Sequence, residues 1–229
     1  MVPIQKFSIK DGGVPKYLDQ TVNAYYSYDY YSMKSEYYDE ENTGFINVLK
    51  NEMHSRYALE LSRAKKQAEE ILLSAIPCIM EMENVLECVC VAVPRSKSYS
   101  TYFPNQLYLI DAISKANRLL EGVEDGARAI IRHTNTRTTH LSEDTGRVTI
   151  NGRIPKVAGA NDGPTPYPGI TKDTCVIDES MIKGKTVILI DDIYTPESYV
   201  DEDCIQAMYD MGAKRVVFYA FAKTKRGFW

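Results

Sequence analysis

The chain has 229 residues, of which 44% are hydrophobic, and a formal net charge of −4. That size and apolar content suit one domain with a full core, and the acidic balance excludes a general nucleic-acid coat, which needs a basic surface to neutralise phosphates. There is no apolar run of the roughly 18 residues that a membrane span needs, and the opening MVPIQKFSIKDGG lacks the apolar core of a signal peptide.

The first 46 residues differ in composition from the rest. NAYYSYDYYSMKSEYYDEENTGF is crowded with tyrosine and acid, which predicts an irregular or hairpin-rich segment whose rings cover a core edge while their hydroxyls stay wet. A base-stacking platform is the sharper alternative, but Asp29, Glu36, Asp39, Glu40 and Glu41 would repel a phosphate backbone. Residues 47–229 read as an α/β domain of mostly parallel sheet flanked by helices. From Asn47 to Ile76 apolar residues recur at three- and four-residue steps, which predicts a helix ended by Pro77. Val85 to Val93 is a continuous apolar run, as for a strand buried on both faces. A loop, PRSKSYSTYF, follows, then a helix over Asn105 to Leu120 with Leu107, Ile110, Ile113 and Leu119 inward.

ARAIIRH predicts a second strand. Residues 134–173, rich in Thr, Gly, Pro, Asn and Arg without periodicity, predict a long functional hood. TCVIDES reads as an edge strand, KGKTVILIDD as a buried strand, VDEDCIQAMYDMG as a helix closed by Gly212, and KRVVFYAFA as another buried strand. Strand, helix, strand in that order predicts a right-handed parallel unit. The five cysteines, Cys78, Cys88, Cys90, Cys175 and Cys204, lie mostly in apolar runs and form no CxxC pair. They read as buried reduced thiols of a cytoplasmic protein rather than as a zinc site.

Ligands of open parallel sheets sit beyond the carboxyl ends of the strands. Two chemically loaded loops are expected there, VPRSKSYS and DDIYTPES. A strand, tight loop and helix start normally receive an anion, whereas the paired acids Asp191 and Asp192 suit hydroxyl groups or a hydrated divalent cation. His133 and His140 have no identifiable carboxylate partner and read as surface residues.

VILIDDIYT, four apolar residues, two acids, an apolar residue, any residue and a threonine, resembles the diphosphate-sugar signature of the type I phosphoribosyltransferases. Three further segments resemble the ComF-like branch of that family in its order: VAVPRSKSYSTYFPNQLYLIDAISKA, IIRHTNTRTTHLSEDTGRVTIN and MGAKRVVFYAFAKT. The resemblance spans roughly residues 85–224 and implies the type I phosphoribosyltransferase fold. It implies that Asp191 and Asp192 accept hydrogen bonds from ribose hydroxyls, that Thr195 meets the 5-phosphate with Ser198 in the same loop, and that Arg95, Ser96 and Lys97 lie against the pyrophosphate. Arg132, Arg137 and Arg147 would close over it. Magnesium would bridge pyrophosphate and hydroxyls, and the phosphoribosyl group would pass to a base or amine. The implied partner is a small phosphoribosyl ligand, and dimers are common among such folds.

The chain departs from this pattern after Thr195. Where the family has glycine and threonine, Pro196, Glu197, Ser198 and Tyr199 stand. Proline removes a backbone donor, and two like charges 6 Å apart at an effective dielectric near 20 repel by about 3 kcal/mol. The ComF-type cysteine-rich zinc knuckle is absent too, since no cysteine precedes Cys78. A non-catalytic binding or regulatory module of the same fold, accessory to nucleic-acid processing, is therefore the alternative expectation. The acceptor would be chosen by the hood and by KTKRGFW, where Phe228 and Trp229 could stack on it or act as a packing plug.

Overall fold

A computed structural model describes residues 3–31, 37, 39–51, 56–138, 163–196 and 198–225. The chain opens with strands β1 (Gln5–Ile9) and β2 (Val22–Tyr30), and helix α1 (Glu40–Lys50) follows. Asp39 caps α1 by accepting the Asn42 amide at 3.0 Å, and Asn51, in left-handed backbone at φ 40°, ends it. Helix α2 (Ala58–Glu83) leads into β3 (Cys88–Ala92), α3 (Tyr108–Asn117) and β4 (Val123–Gly126). Next come β5 (Ile130–Arg132), α4 (Ile170–Thr174), β6 (Cys175–Ile177) and α5 (Glu179–Ile182). The described chain closes with β7 (Thr186–Tyr194), α6 (Val200–Asp210) and β8 (Arg215–Thr224).

Six strands make one mixed sheet in the order β1-β2-β8-β7-β3-β4, with only β1 antiparallel to its neighbour. The architecture is therefore α/β with a mostly parallel sheet. Period-two alternation sends Ile188 and Ile190 of β7 toward α1, α2 and α3, and Val187 and Leu189 toward α6. β3, β7 and β8 are apolar on both faces because helices cover both faces. Both loaded loops leave from the point where strand order reverses: β3 runs on to β4 on one side, and β7 runs on to β8 on the other.

The tyrosine-rich segment joins this sheet. β2 pairs in parallel with β8, Tyr25 opposite Tyr219, and Tyr25 is wholly buried with its hydroxyl on Glu83. The expected single helix over 47–76 is instead two helices, and Pro77 lies within α2 rather than ending it. Proline removes one amide from the ladder, but Pro77 lies on the exposed face, where water can take up the carbonyl left without a partner. Leu119 is 64% exposed beyond the end of α3 rather than inward, while Ile110 and Ile113 are buried as expected.

ARAIIRH does form a strand, but outside the main sheet: β5 pairs antiparallel with β6 in a two-stranded ribbon. The strand beside β3 is β4, whose sequence VEDG carries no strand signal. It is admitted because Gly126 lets the backbone pass 2.5 Å, measured to a notional Cβ, from the Val89 methyl. Of the expected hood, residues 139–162 lie outside the described residues, as do His140 and Arg147. All five cysteines are free thiols, and no helix among the described residues is long and apolar enough to cross a membrane.

Candidate functional site

β7 carries its two acids to opposite sides of the sheet, because adjacent residues of a strand point to opposite faces. Asp192 faces α1, where Lys50 Nζ lies 3.4 Å from its Oδ1. Asp191 faces α6 and meets Asp201 in that helix's first turn, the two carboxyls joined by a hydrogen bond. The Asp192 amide also donates to Asp191 Oδ1 at 2.8 Å. Burial, with Asp192 beside it, pushes Asp191 up to about 7, and burial beside Asp191 and Glu202 pushes Asp201 well above the usual carboxylate range.

The first turn of α6 is filled by the chain's own acids. Asp201, Glu202 and Asp203 are exposed by only 2%, 4% and 2%. Glu202 accepts the Tyr194 hydroxyl at 2.9 Å and is itself raised by burial. Asp203 accepts the amides of Gly169 at 2.5 Å and Thr171 at 2.8 Å, tying α4 to α6. Acids at a helix N-terminus are favourable, and here they stand where an anionic ligand would otherwise be drawn. The turn before the helix is tight: the Ser198 amide donates to the Thr195 carbonyl at 3.2 Å, with Pro196 between them. The Thr195 hydroxyl lies 2.9 Å from that of Thr224. Tyr199 enters the helix in left-handed backbone at φ 59° and stacks on Tyr17 at 4.5 Å. Glu197 lies outside the described residues.

The loop after β3 lies beside this turn, since the Val93 amide donates to the Ile190 carbonyl at 2.9 Å. The cations expected to meet pyrophosphate make contacts within the protein. Arg95 donates to the carbonyls of Lys50 at 2.7 Å and Gln106 at 2.6 Å and lies over the Tyr102 ring. Lys97, 7% exposed, donates to the Thr136 carbonyl at 2.9 Å. Ser96 meets the Thr138 hydroxyl at 2.8 Å, and its carbonyl accepts the Thr136 amide at 2.7 Å. Arg132, 3% exposed, donates to the Arg95 carbonyl at 2.6 Å and to the Thr174 hydroxyl. The Arg137 amide donates to the Pro164 carbonyl at 3.0 Å. Arg95, Ser96, Lys97, Arg132 and Arg137 thus converge on one loop assembly, tied by contacts within the protein.

Lys50 and Asp201 are the residues of this site that sequence reading missed. Lys50 is the last residue of α1, and its carbonyl anchors Arg95 while its ammonium reaches Asp192, so one residue joins the two loops. The only signal for Asp201 was the acidic run VDED, which reads equally well as ordinary helix-start charge. His133 is exposed, with Nδ1 2.9 Å from the Thr134 hydroxyl, as a surface histidine should be. A cavity of about 260 Å³ lies on the other side of α6, lined by Lys16, Lys172, Asp203, Gln206 and Asp210 among others; neither Asp191 nor Asp192 lines it. Among the described residues no three histidine, cysteine, aspartate or glutamate side chains converge as metal ligands. Comparison of the chain with protein-family models and with curated proteins returns no match.

Proposed function

We propose that the chain is a type I phosphoribosyltransferase-like protein of the ComF-like kind, working in a reducing, cytoplasmic setting. It takes phosphoribosyl diphosphate at the reversal between β3 and β7 and passes the phosphoribosyl group to a base or amine. The observation that carries this reading is positional. The diacid of β7 and the cation-bearing loop of β3 leave neighbouring strands at the one place where a parallel sheet of this order opens a crevice. In the reaction the C1–pyrophosphate bond breaks, a bond from C1 to the acceptor nitrogen forms, and the acceptor's proton passes to solvent. The protein's share is positioning and neutralisation of the leaving group. Asp192, held by Lys50, is the acid better placed to meet a ribose hydroxyl from the α1 side. With no convergent metal ligands among the described residues, magnesium would be carried by the ligand's own diphosphate and hydroxyl oxygens.

A second reading, a binding or regulatory module without turnover, is favoured by the state of the α6 turn. Its acids stand where the 5-phosphate would lie, and Asp191 is engaged with Asp201. Calorimetric titration of phosphoribosyl diphosphate with magnesium, using an Asp191→Asn, Asp192→Asn double variant as control, separates the cases. Micromolar binding that the variant loses supports a ribosyl site, and pyrophosphate release with an added base or amine then supports the transferase. Binding without release supports the second reading. No binding at millimolar ligand overturns phosphoribosyl diphosphate as the substrate and leaves a different ribosyl ligand or the non-catalytic reading.

A further inference from the structure

At the carboxyl end of β8, Lys223 and Lys225 project from the same face over an aromatic floor. Phe7 of β1 is held between Tyr26 of β2 at 5.6 Å and Tyr194 of β7 at 5.1 Å. Lys223 Nζ stands 4.4 Å from the centre of the Phe7 ring and 5.6 Å from that of Tyr26. The two lysines divide the available counter-charge unequally. Lys225 pairs with Asp29 at 3.2 Å and donates to the Tyr26 hydroxyl at 3.2 Å. Lys223, whose backbone is in register with both Asp29 and Tyr194, makes neither a hydrogen bond nor an ion pair within the described residues.

Four effects act on the Lys223 ammonium. The ring faces favour the charged form, and Asp29 adds to that. Partial burial against Phe7, with Lys225 beside it, opposes both, and the balance lowers its pKa from the ordinary lysine value. Tyr194 supplies no counter-charge, since its proton is committed to Glu202 and burial raises its pKa. Deprotonation gives up the attraction of the ring faces, but the methylene stem still packs on the ring. Amines in such surroundings, desolvated and next to a second cation, are the ones that react with carbonyl compounds near neutral pH.

We propose that Lys223 is a carbonyl-reactive amine that takes a small aldehyde as an imine over the Phe7–Tyr26 floor. The nitrogen lone pair forms the new bond to carbon, and the carbonyl oxygen departs as water with the two amine protons. The inference stands on β1, β2, β8 and Tyr194 of β7 and requires no ribosyl ligand at the β3–β7 crevice.

The test is competitive labelling of the full chain with substoichiometric pyridoxal 5′-phosphate at pH 7.5, borohydride trapping, and peptide mapping of every lysine. Lys66, with its side chain 76% exposed, serves as the internal reference. A lowered pKa leaves more free amine at a given pH, so Lys223 should label faster than this reference. The same ranking should hold with pyridoxal, which lacks the phosphate. Lys225→Gln should slow labelling at Lys223 by removing the neighbouring charge. Equal or slower labelling at Lys223 in the wild-type chain overturns the proposal whether or not the variant folds. So does a preference that vanishes with pyridoxal, which would mean anion steering rather than amine reactivity, or a folded Lys225→Gln chain that labels Lys223 as fast as the wild type.

Discussion

Asp191 on β7 and Asp201 on α6 meet across the turn that joins them, and burial raises both above the usual carboxylate range. Two carboxylates there would repel in a poorly solvated space. Raised pKa values favour protonated carboxyls, which can join the start of α6 to the end of β7.

Stability should therefore fall as the pH rises. Both acids have folded pKa values above their unfolded ones, so their contribution is fully present below pH 3.8, the ordinary value for aspartate, and is lost as pH passes through the folded value, about 7 for Asp191. Asp201→Asn replaces the protonated acid with a neutral donor of similar shape. It should raise the melting temperature at pH 8, by about 2–4 °C for each kcal/mol of repulsion removed, and leave it nearly unchanged at pH 4. A variant less stable than wild type at pH 8 would refute the raised pKa values.

Lys50→Met should separate two roles of the cation at the diacid. Paired groups about one-fifth exposed contribute modestly to folding, about 1 kcal/mol or less. Its effect on phosphoribosyl diphosphate affinity should be larger, a weakening of about tenfold, because the lysine both orients Asp192 and places a positive charge at the crevice. Titration calorimetry beside a melting curve reads both quantities. Equal losses would make Lys50 a structural residue only.

Glu83 anchors the opposite end of the sheet. Its side chain, 2% exposed, accepts from Lys6 at 3.1 Å, from Asn23 at 3.0 Å, from the Tyr25 hydroxyl and from Arg215. Glu83→Ala leaves several donors inside without an acceptor and should cost about 3 kcal/mol, measured by urea unfolding. Because the site lies at the other end of the strands, ligand affinity of the remaining folded protein should not change.

Gly122 turns the chain from α3 into β4 at φ 72°, and a Cβ there would collide with the Leu86 carbonyl. The Gly122 carbonyl accepts the Cys88 amide at 2.9 Å, so this turn sets the start of β3. Gly122→Ala should destabilise by about 2 kcal/mol or more. Gly12→Ala, where a Cβ meets no atom within 4 Å, is the matched control and should be close to neutral.

Local signals sufficed for the core. The unbroken apolar runs of β3, β7 and β8, the periodicity behind α6 and its stop at Gly212 specify doubly covered parallel strands, because each depends only on neighbours in sequence. The same local reading placed Asp191 and Asp192 at a strand end facing a short loop. It could not place β4, whose VEDG has no strand propensity and is recruited by the open edge of β3. It set the tyrosine-rich residues apart from the sheet because tyrosine and acid describe a wet surface, whereas pairing with β8 buries Tyr25 completely.

What the sequence determined by itself is the class of the sheet and the strand that bears the diacid. Tertiary structure alone decided the chemistry around those acids. One faces a lysine from α1 and the other a buried aspartate from α6, while the expected pyrophosphate cations hold carbonyls of the loops around them. These partners come from distant parts of the chain, and what a charge does depends on which charges and carbonyls folding brings within a few ångströms of it.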